Sequence, residues 1–354
     1  LSQFNMMSAA VLDRPLSIGV KQVPIPEPKP DEALIQVYCI GICGSDVHYY
    51  EHGRIGRYEV KEPLILGHEL AGVVVRTGEK VRNVSVGDRV AVEPGVTCGR
   101  CSYCKSGRYN LCPDVVFMAT PPVNGAWAEY VAVRSDFLFR LPDEMSFEEG
   151  ALLEPLSVGL HAVRRGRIRP EDRVLVLGLG PIGLLAMEAA KMSGASQVYG
   201  SDVVEYRRDL ALQMGASGVI NPMGESVSQR LNELTDGNGI DLIIETSGNA
   251  GAIADSIGYV NRGGRIVFVG LPTKDAIPVD IGALVDAELD VYGVFRYANT
   301  YPAAIQMLQN NKASRIRDII THQFSLDQIE EAVELARTHK DTSVKVMIYP
   351  HPNA

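Results

Sequence analysis

Four cysteines, Cys98-Gly-Arg-Cys101-Ser-Tyr-Cys104 closed by Cys112, fall within fifteen positions of the chain. The intervals between them are two, two and seven residues. Such spacing lets four thiolates surround one small, soft cation, and tetrahedral Zn²⁺ is the usual occupant. Iron–sulfur clusters use the same sulfur, but a compact loop with no Pro after its last Cys-x-x-Cys step favours zinc. Buried thiols or two local disulfides are the plainer alternative. Against it, a Cys-x-x-Cys disulfide closes a strained ring, and the sequence has no secreted character. A closed four-sulfur site has no vacant position, so it would hold a loop rather than react.

Reactive chemistry is therefore expected elsewhere. Gly41-Ile-Cys43-Gly-Ser45-Asp46 is followed, twenty-five residues after Cys43, by the His68 of Gly67-His68-Glu69. Cys, His and Glu are zinc-compatible ligands that would leave a fourth position for water or substrate. Taken alone, His68-Glu69 also reads as a helix start or a surface pair, and Cys43 as a buried thiol. Cys39, inside a strand pattern, reads as a small buried hydrophobe. Spacing leaves that choice open.

A third constellation is Gly178-Leu-Gly180-Pro181-Ile182-Gly183, directly after the apolar run Val174–Leu177 and opening a helical pattern. In that context the glycines permit a tight turn, a close pyrophosphate approach and close helix–strand packing. The helix N-terminus offers free N–H groups to phosphate. Asp202 ends the next strand, nineteen residues after Gly183, where a carboxylate can accept both ribose hydroxyls. That carboxylate would repel a 2′-phosphate, so NAD is expected over NADP. Arg207 and Arg208 follow, and one could reach toward the adenosine ribose.

These residues need two kinds of scaffold. The first 150 residues read as short strands and turns: Leu34–Cys39, Gly72–Val75 and Gly87–Val92, with Pro24–Pro30 as a stiff connector. From Arg173 apolar strands alternate with helical patterns: Val174–Leu177, helix 182–192, Gln197–Gly200, Leu242–Glu245, Arg265–Val269 and Val291–Phe295. That alternation marks βαβ units and a parallel sheet. Leu326–Ala336 reads as a core-facing helix.

With 354 residues there is room for two domains, and 46% hydrophobic with 22% charged residues is ordinary for a globular protein. A net charge of −9 argues against a polyanionic partner, and hence against a zinc-ribbon nucleic-acid protein. No apolar stretch of membrane-spanning length and no leader pattern is present, which with the thiol-rich motif suggests a reducing, cytoplasmic setting. Leu1–Asn5, ahead of Met6-Met7, read as an appended stretch outside the fold.

Taken together, the chain resembles the zinc-dependent medium-chain alcohol dehydrogenase superfamily. Gly41–Asp46, Gly67-His68-Glu69, Gly87-Asp-Arg-Val90, the four-cysteine lobe and the glycine fingerprint carry the superfamily likeness. Asp46–Tyr50 with Gly53-Arg-Ile-Gly56, Ala119–Pro122, Leu153–Val158 and Gly293–Tyr297 resemble its polyol (sorbitol/xylitol) dehydrogenase branch. The likeness spans residues 8 to 350.

It implies an α/β fold with a GroES-like β-rich catalytic domain, 1–155 plus 299–354, and a Rossmann doubly wound parallel-sheet domain, 156–298. It implies two zinc ions per chain. Cys43, His68 and Glu69 would bind the catalytic ion, with Glu154 beside it directly or through water. Cys98, Cys101, Cys104 and Cys112 would bind the structural one. Some animal polyol dehydrogenases have lost these four cysteines, whereas all are present here. Ser45 is a candidate proton relay, or else a turn serine bonding local backbone. Tyr49 and Glu154 complete the catalytic candidates, and Glu154 could orient a water. Phe117, Thr120, Arg296 and Tyr297 are candidate substrate contacts. Besides Gly178, Gly180, Pro181, Ile182, Gly183, Asp202 and Arg207, the cofactor set includes Thr246, Val269, Gly270, Leu271, Val294, Phe295 and Arg296.

The expected reaction moves a hydride from C2 of sorbitol or xylitol to NAD, giving the ketose. The expected assembly is a homotetramer, with no membrane or nucleic-acid partner. A threonine or butanediol dehydrogenase of the same superfamily is the nearest rival, and a non-catalytic nucleotide-binding relative is a more distant one.

Overall fold

The computed structural model describes residues 6–272, 274 and 276–351, and the chain forms two compact units. One runs to Glu154 and resumes at Ile320; the other is Pro155–Ile319. Leu1–Asn5 lie outside the described residues. The return to the first unit comes later than the expected residue 299. Arg164 donates to the Asn299 carbonyl (2.7 Å), and the turn Ile316–Ile319 packs on helix Pro181–Met192, holding the intervening helix Tyr301–Asn310 in the second unit.

The first unit is built around strand Glu32–Gly41, most of whose residues are buried. It pairs antiparallel with Glu69–Thr77, with Lys345–Tyr349 and with Tyr130–Arg134. The register sets Gly41 opposite both Glu69 and Met347. Two strand ends and the middle of a third strand therefore meet where Cys43 caps helix Gly44–His52. The expected strands Leu34–Cys39 and Gly72–Val75 lie inside longer ones. The third begins at Arg89, because Gly87-Asp88 form its entering turn (Gly87 φ +93°). Residues 25–30, after strand Ser17–Pro24, have no regular structure, as a Pro-rich connector should. The late helix opens as a 3₁₀ turn, Leu326–Gln328, before Ile329–Thr338, and buries Leu326, Ile329 and Val333.

In the second unit six parallel strands lie in the order Gly218–Ile220, Gln197–Ser201, Arg173–Leu177, Ile240–Glu245, Val260–Phe268 and Asp290–Gly293. Numbered by appearance this is 3-2-1-4-5-6, the order that binds dinucleotides where the strand direction of winding reverses. Leu175, Tyr199, Ile243 and Ile266 share its core. Arg265 and Asp172 make a buried ion pair (2.5 Å) beneath it. The last strand stands at the sheet edge and stops at Gly293, short of the expected Phe295, and Arg296 turns the backbone away at φ +52°. Among the described residues no helix is long and apolar enough to cross a membrane.

Candidate metal and dinucleotide sites

Cys43, His68 and Glu69 are brought together by the meeting of strand ends, and their donor atoms all lie within 4.8 Å of one another. His68 and Glu69 are buried, not on a surface, and Glu69 begins a strand rather than a helix. Gly41 makes room for the carboxylate: a Cβ there would overlap Glu69 Oε2. Asp46, fully buried, ties the two ligand loops together. Its Oδ2 accepts from the Cys43 N–H (2.9 Å) and its Oδ1 from the Gly67 N–H (3.0 Å). His68 Nδ1 lies 3.5 Å from Asp46 Oδ1 yet makes no well-formed hydrogen bond. Burial opposes a proton on His68, but Asp46 and Cys43 outweigh it and raise its affinity for one well above the ordinary value. A negative potential that draws a proton draws a metal cation too, so an orphaned buried imidazole nitrogen, a thiol and a carboxylate fit zinc.

Lys345, on strand Lys345–Tyr349, points its ammonium into this site. It donates to Glu69 Oε1 (2.8 Å), Glu69 Oε2 (2.5 Å) and the Ile42 carbonyl (3.1 Å). Burial works against its charge, but Glu69, Cys43 and Glu154 hold its pKa above the usual lysine value. Glu154 is buried as well, but its carboxylate is not among the three grouped donors. Of the other residues expected here, Ser45 is half-buried in the first turn of Gly44–His52, and Tyr49 is buried farther along that helix. The Phe117 ring meets His68 edge-on, with centroids 5.6 Å apart, and Thr120 follows in a turn closed by its N–H on the Phe117 carbonyl (3.1 Å).

The four sulfurs of Cys98, Cys101, Cys104 and Cys112 form a second group within the same distance limit. All are free thiols; Cys101 and Cys104 Sγ are 3.5 Å apart, far beyond a disulfide bond. Helix Ser102–Lys105 starts on Cys101, whose sulfur accepts from Cys104 N–H (3.4 Å), while Cys98 sulfur accepts from Cys101 N–H (3.4 Å). Backbone N–H groups of Arg100 and Cys101 bring the Cys98 thiol down to about 6. Burial instead pushes the Cys112 thiol up to about 11, so the loop favours one sulfur anion on its own and a cation would have to stabilise the rest. Glu93, buried next to this lobe, accepts from Tyr109 O–H (2.8 Å), and burial pushes its carboxyl up to about 7.

In the second unit Gly178 turns at φ +87° after Arg173–Leu177, and Gly180 caps helix Pro181–Met192 with Pro181 at its first position. A Cβ on Gly183 would overlap the Gly178 carbonyl, so helix and strand can approach this closely only with glycine. Asp202 accepts from the Leu179 N–H (2.7 Å) and the Val204 N–H (2.8 Å) and thereby ties the glycine loop to the second strand. Arg207 Nη1 stands 3.8 Å from its carboxylate. Thr246 donates to the Gly178 carbonyl (2.8 Å), and Val269 and Gly270 N–H groups bond to the Glu245 carbonyl. Leu271 is exposed beyond them, and Val294, Phe295 and Arg296 follow the edge strand, with the Arg296 guanidinium over the Phe295 ring. These expected cofactor positions thus cluster at the carboxyl ends of the parallel strands. Tyr297, buried against Tyr301, belongs to this unit as well.

Sequence reasoning passed over Asp46, Lys345 and Glu93 as functional residues. Asp46 had a signal: an acid three positions into a helix can reach back to the capping residue. Lys345 and Glu93 had none, since their partners are distant in sequence or defined only by burial.

Two family models match in tandem: the alcohol dehydrogenase GroES-like domain over residues 29–143 and the zinc-binding dehydrogenase over residues 181–310. The sorbitol dehydrogenase of Bacillus subtilis (strain 168) is 46% identical over 345 residues, covering 98% of each chain. An Escherichia coli oxidoreductase of unknown specificity, involved in membrane biogenesis, superposes with TM-score 0.92 at 38% identity, covering 97% of this chain and 99% of that one. An E. coli alcohol dehydrogenase complexed with NADH superposes with TM-score 0.90 at 26% identity, covering 98% and 99%. Likeness at this level over the whole length, joined to a Cys-His-Glu group and a glycine-loop sheet, makes the chain a member of the zinc-dependent medium-chain dehydrogenase superfamily, closely related to sorbitol dehydrogenase.

Proposed function

We propose that the chain is an NAD-dependent polyol dehydrogenase that oxidises the C2 hydroxyl of sorbitol or xylitol to the ketose. The observation that carries this reading is the Cys43-His68-Glu69 group, half-buried at the cysteine and buried at the other two, which offers three donors of three kinds and so leaves a tetrahedral ion one position for a hydroxyl. Zinc held there would make a substrate hydroxyl more acidic, and NAD is the hydride acceptor. Ser45 relays the departing proton from the first turn of its helix, and Glu154 orients a water or takes that proton through it. The Asp202 carboxylate favours the free ribose of NAD over the phosphorylated ribose of NADP.

Cys98, Cys101, Cys104 and Cys112 hold a second zinc that fixes their lobe and takes no part in turnover. Tyr49, Arg296 and Tyr297 carry hydrogen-bond donors for the hydroxyls that do not react, with Phe117 and Thr120 as further substrate contacts. A site built for those hydroxyls discriminates against an alcohol lacking them. The assembly is a homotetramer, in which the edge strand Asp290–Gly293 pairs with its symmetry mate; sedimentation of a lone 38.5 kDa species at micromolar concentration would refute that part.

The test is NADH absorbance on adding sorbitol, xylitol, threonine, 2,3-butanediol or 2-propanol to protein and NAD. The two polyols should lead in kcat/KM by a wide margin over 2-propanol. Preference for threonine or the diol would overturn the substrate class while leaving the dehydrogenase chemistry intact.

A further inference from the structure

Lys345 is almost fully buried, and each of its three N–H donors is spent: two on the oxygens of Glu69 and one on the Ile42 carbonyl. Three anionic side chains act on it, Glu69, Cys43 and Glu154. Glu69, Cys43 and Glu154, together with the fully buried Asp46 carboxylate 3.5 Å from His68 Nδ1, bring more negative charge to this site than a divalent ion neutralises, and an unbalanced buried charge is costly. Lys345 supplies part of the compensating positive charge. It also engages both Glu69 oxygens, leaving a metal only the remaining lone pairs of that carboxylate.

We propose that Lys345 is the positioning residue of this metal centre: it holds the Glu69 carboxylate in place and limits how much of that carboxylate the metal receives. The inference rests on reading Cys43, His68 and Glu69 as a zinc site. In the metal-free chain Lys345 is what makes a buried Glu69 tolerable. In the loaded chain its charge opposes the ion and keeps Glu69 from committing fully to it, so the ion remains a stronger Lewis acid toward substrate.

The experiment compares wild type, Lys345→Met and Lys345→Arg by zinc affinity from chelator competition, by thermal stability with and without zinc, and by the visible absorption of the cobalt-substituted protein. Removing a unit positive charge beside a divalent ion should tighten zinc by at least about tenfold. Lys345→Met should also lose stability mainly in the zinc-free form and shift the cobalt bands as Glu69 moves onto the metal. Lys345→Arg, which keeps the charge, should recover toward wild type in all three. Unchanged zinc affinity and cobalt bands in Lys345→Met, or an equal stability loss with and without zinc, would overturn the proposal and leave a purely structural ion pair. If Lys345→Met does not fold even with zinc, adding Glu69→Gln removes the stranded charge; recovery of the fold supports the pairing and failure overturns it. A wild-type chain that holds metal only in the four-cysteine lobe overturns the zinc-site reading itself, and this inference with it.

Discussion

Asp46→Asn is a substitution of nearly identical shape that should nonetheless loosen the Cys43-His68-Glu69 site. The two backbone donors that Asp46 satisfies point at different oxygens, Cys43 N–H at Oδ2 and Gly67 N–H at Oδ1. An asparagine has one acceptor oxygen and one NH₂ group, so in either flip one of those N–H groups faces another donor. If the NH₂ sits on the Oδ1 side it also confronts His68 Nδ1, 3.5 Å from that oxygen in the native chain. A buried unsatisfied donor costs about 1–3 kcal/mol, and the surviving bond loses its charge assistance. Both ligand loops hang on this carboxylate, so most of the cost falls on metal binding. Partners of ligating histidines are worth roughly 10- to 100-fold in affinity, about 1.4–2.7 kcal/mol. The assay is zinc per chain after dialysis against graded chelator, with the four-cysteine lobe as internal control. One zinc should leave at chelator concentrations that wild type survives, while the lobe keeps its own. Equal retention at both sites, with unchanged kcat, would sink the argument.

Cys43→Ser should abolish turnover and leave the fold largely intact, whereas Cys101→Ser should chiefly lower stability; metal analysis that finds the same loss in both variants would remove the distinction between the sites. Asp202→Ala should weaken NAD by about 10- to 100-fold in a nucleotide titration, since the glycine loop loses its tie as well as the ribose its acceptor, and should narrow the gap to NADP; a wild type with higher kcat/KM on NADP would contradict the assignment. Glu93, faced by Tyr109, Glu154 and Asp136, titrates near 7 in the folded chain against 4.5 for an ordinary glutamate. Its folded form holds the extra proton between those values, so stability is full below about 4.5 and falls as pH rises toward 7, by about 3 kcal/mol at most. Glu93→Gln should flatten that fall, measured as the difference in denaturation midpoint between pH 5 and pH 8, and a variant with the wild-type difference would show that burial is not what holds the proton.

The second unit was the more legible half because its signals are local. Strand, glycine turn, helix and acid from Val174 to Asp202 follow one another in the sequence, and in the structure each stands where its own residues require. The first unit resisted because its site is assembled from afar. Nothing around His68-Glu69 distinguishes a surface pair from buried ligands; burial comes from register with Glu32–Gly41 and Lys345–Tyr349, and register is a property of strands that meet only on folding. The helix Phe147–Arg165 is hidden in the sequence by Pro155 in its interior, where proline ordinarily argues against helix. The return to the first unit at Ile320 rather than 299 has no compositional mark, because hydrogen bonds and packing keep residues 299–319 with the second unit.

The pairing of Lys345–Tyr349 with Glu32–Gly41 has a consequence for the order in which the protein comes into being. A chain emerging from the ribosome presents Cys43, His68 and Glu69 early, but the lysine that neutralises Glu69 is made 276 residues after it. Pro155–Ile319 is complete before that strand exists and can condense as a unit while the first sheet still waits for its partner. During that interval Glu69 lacks its ammonium, and the first unit carries an open edge on its central strand. Vectorial synthesis thus makes the metal centre a late event: a chain ending at residue 319 would contain every element of the second unit yet lack the ammonium that neutralises Glu69 in the first.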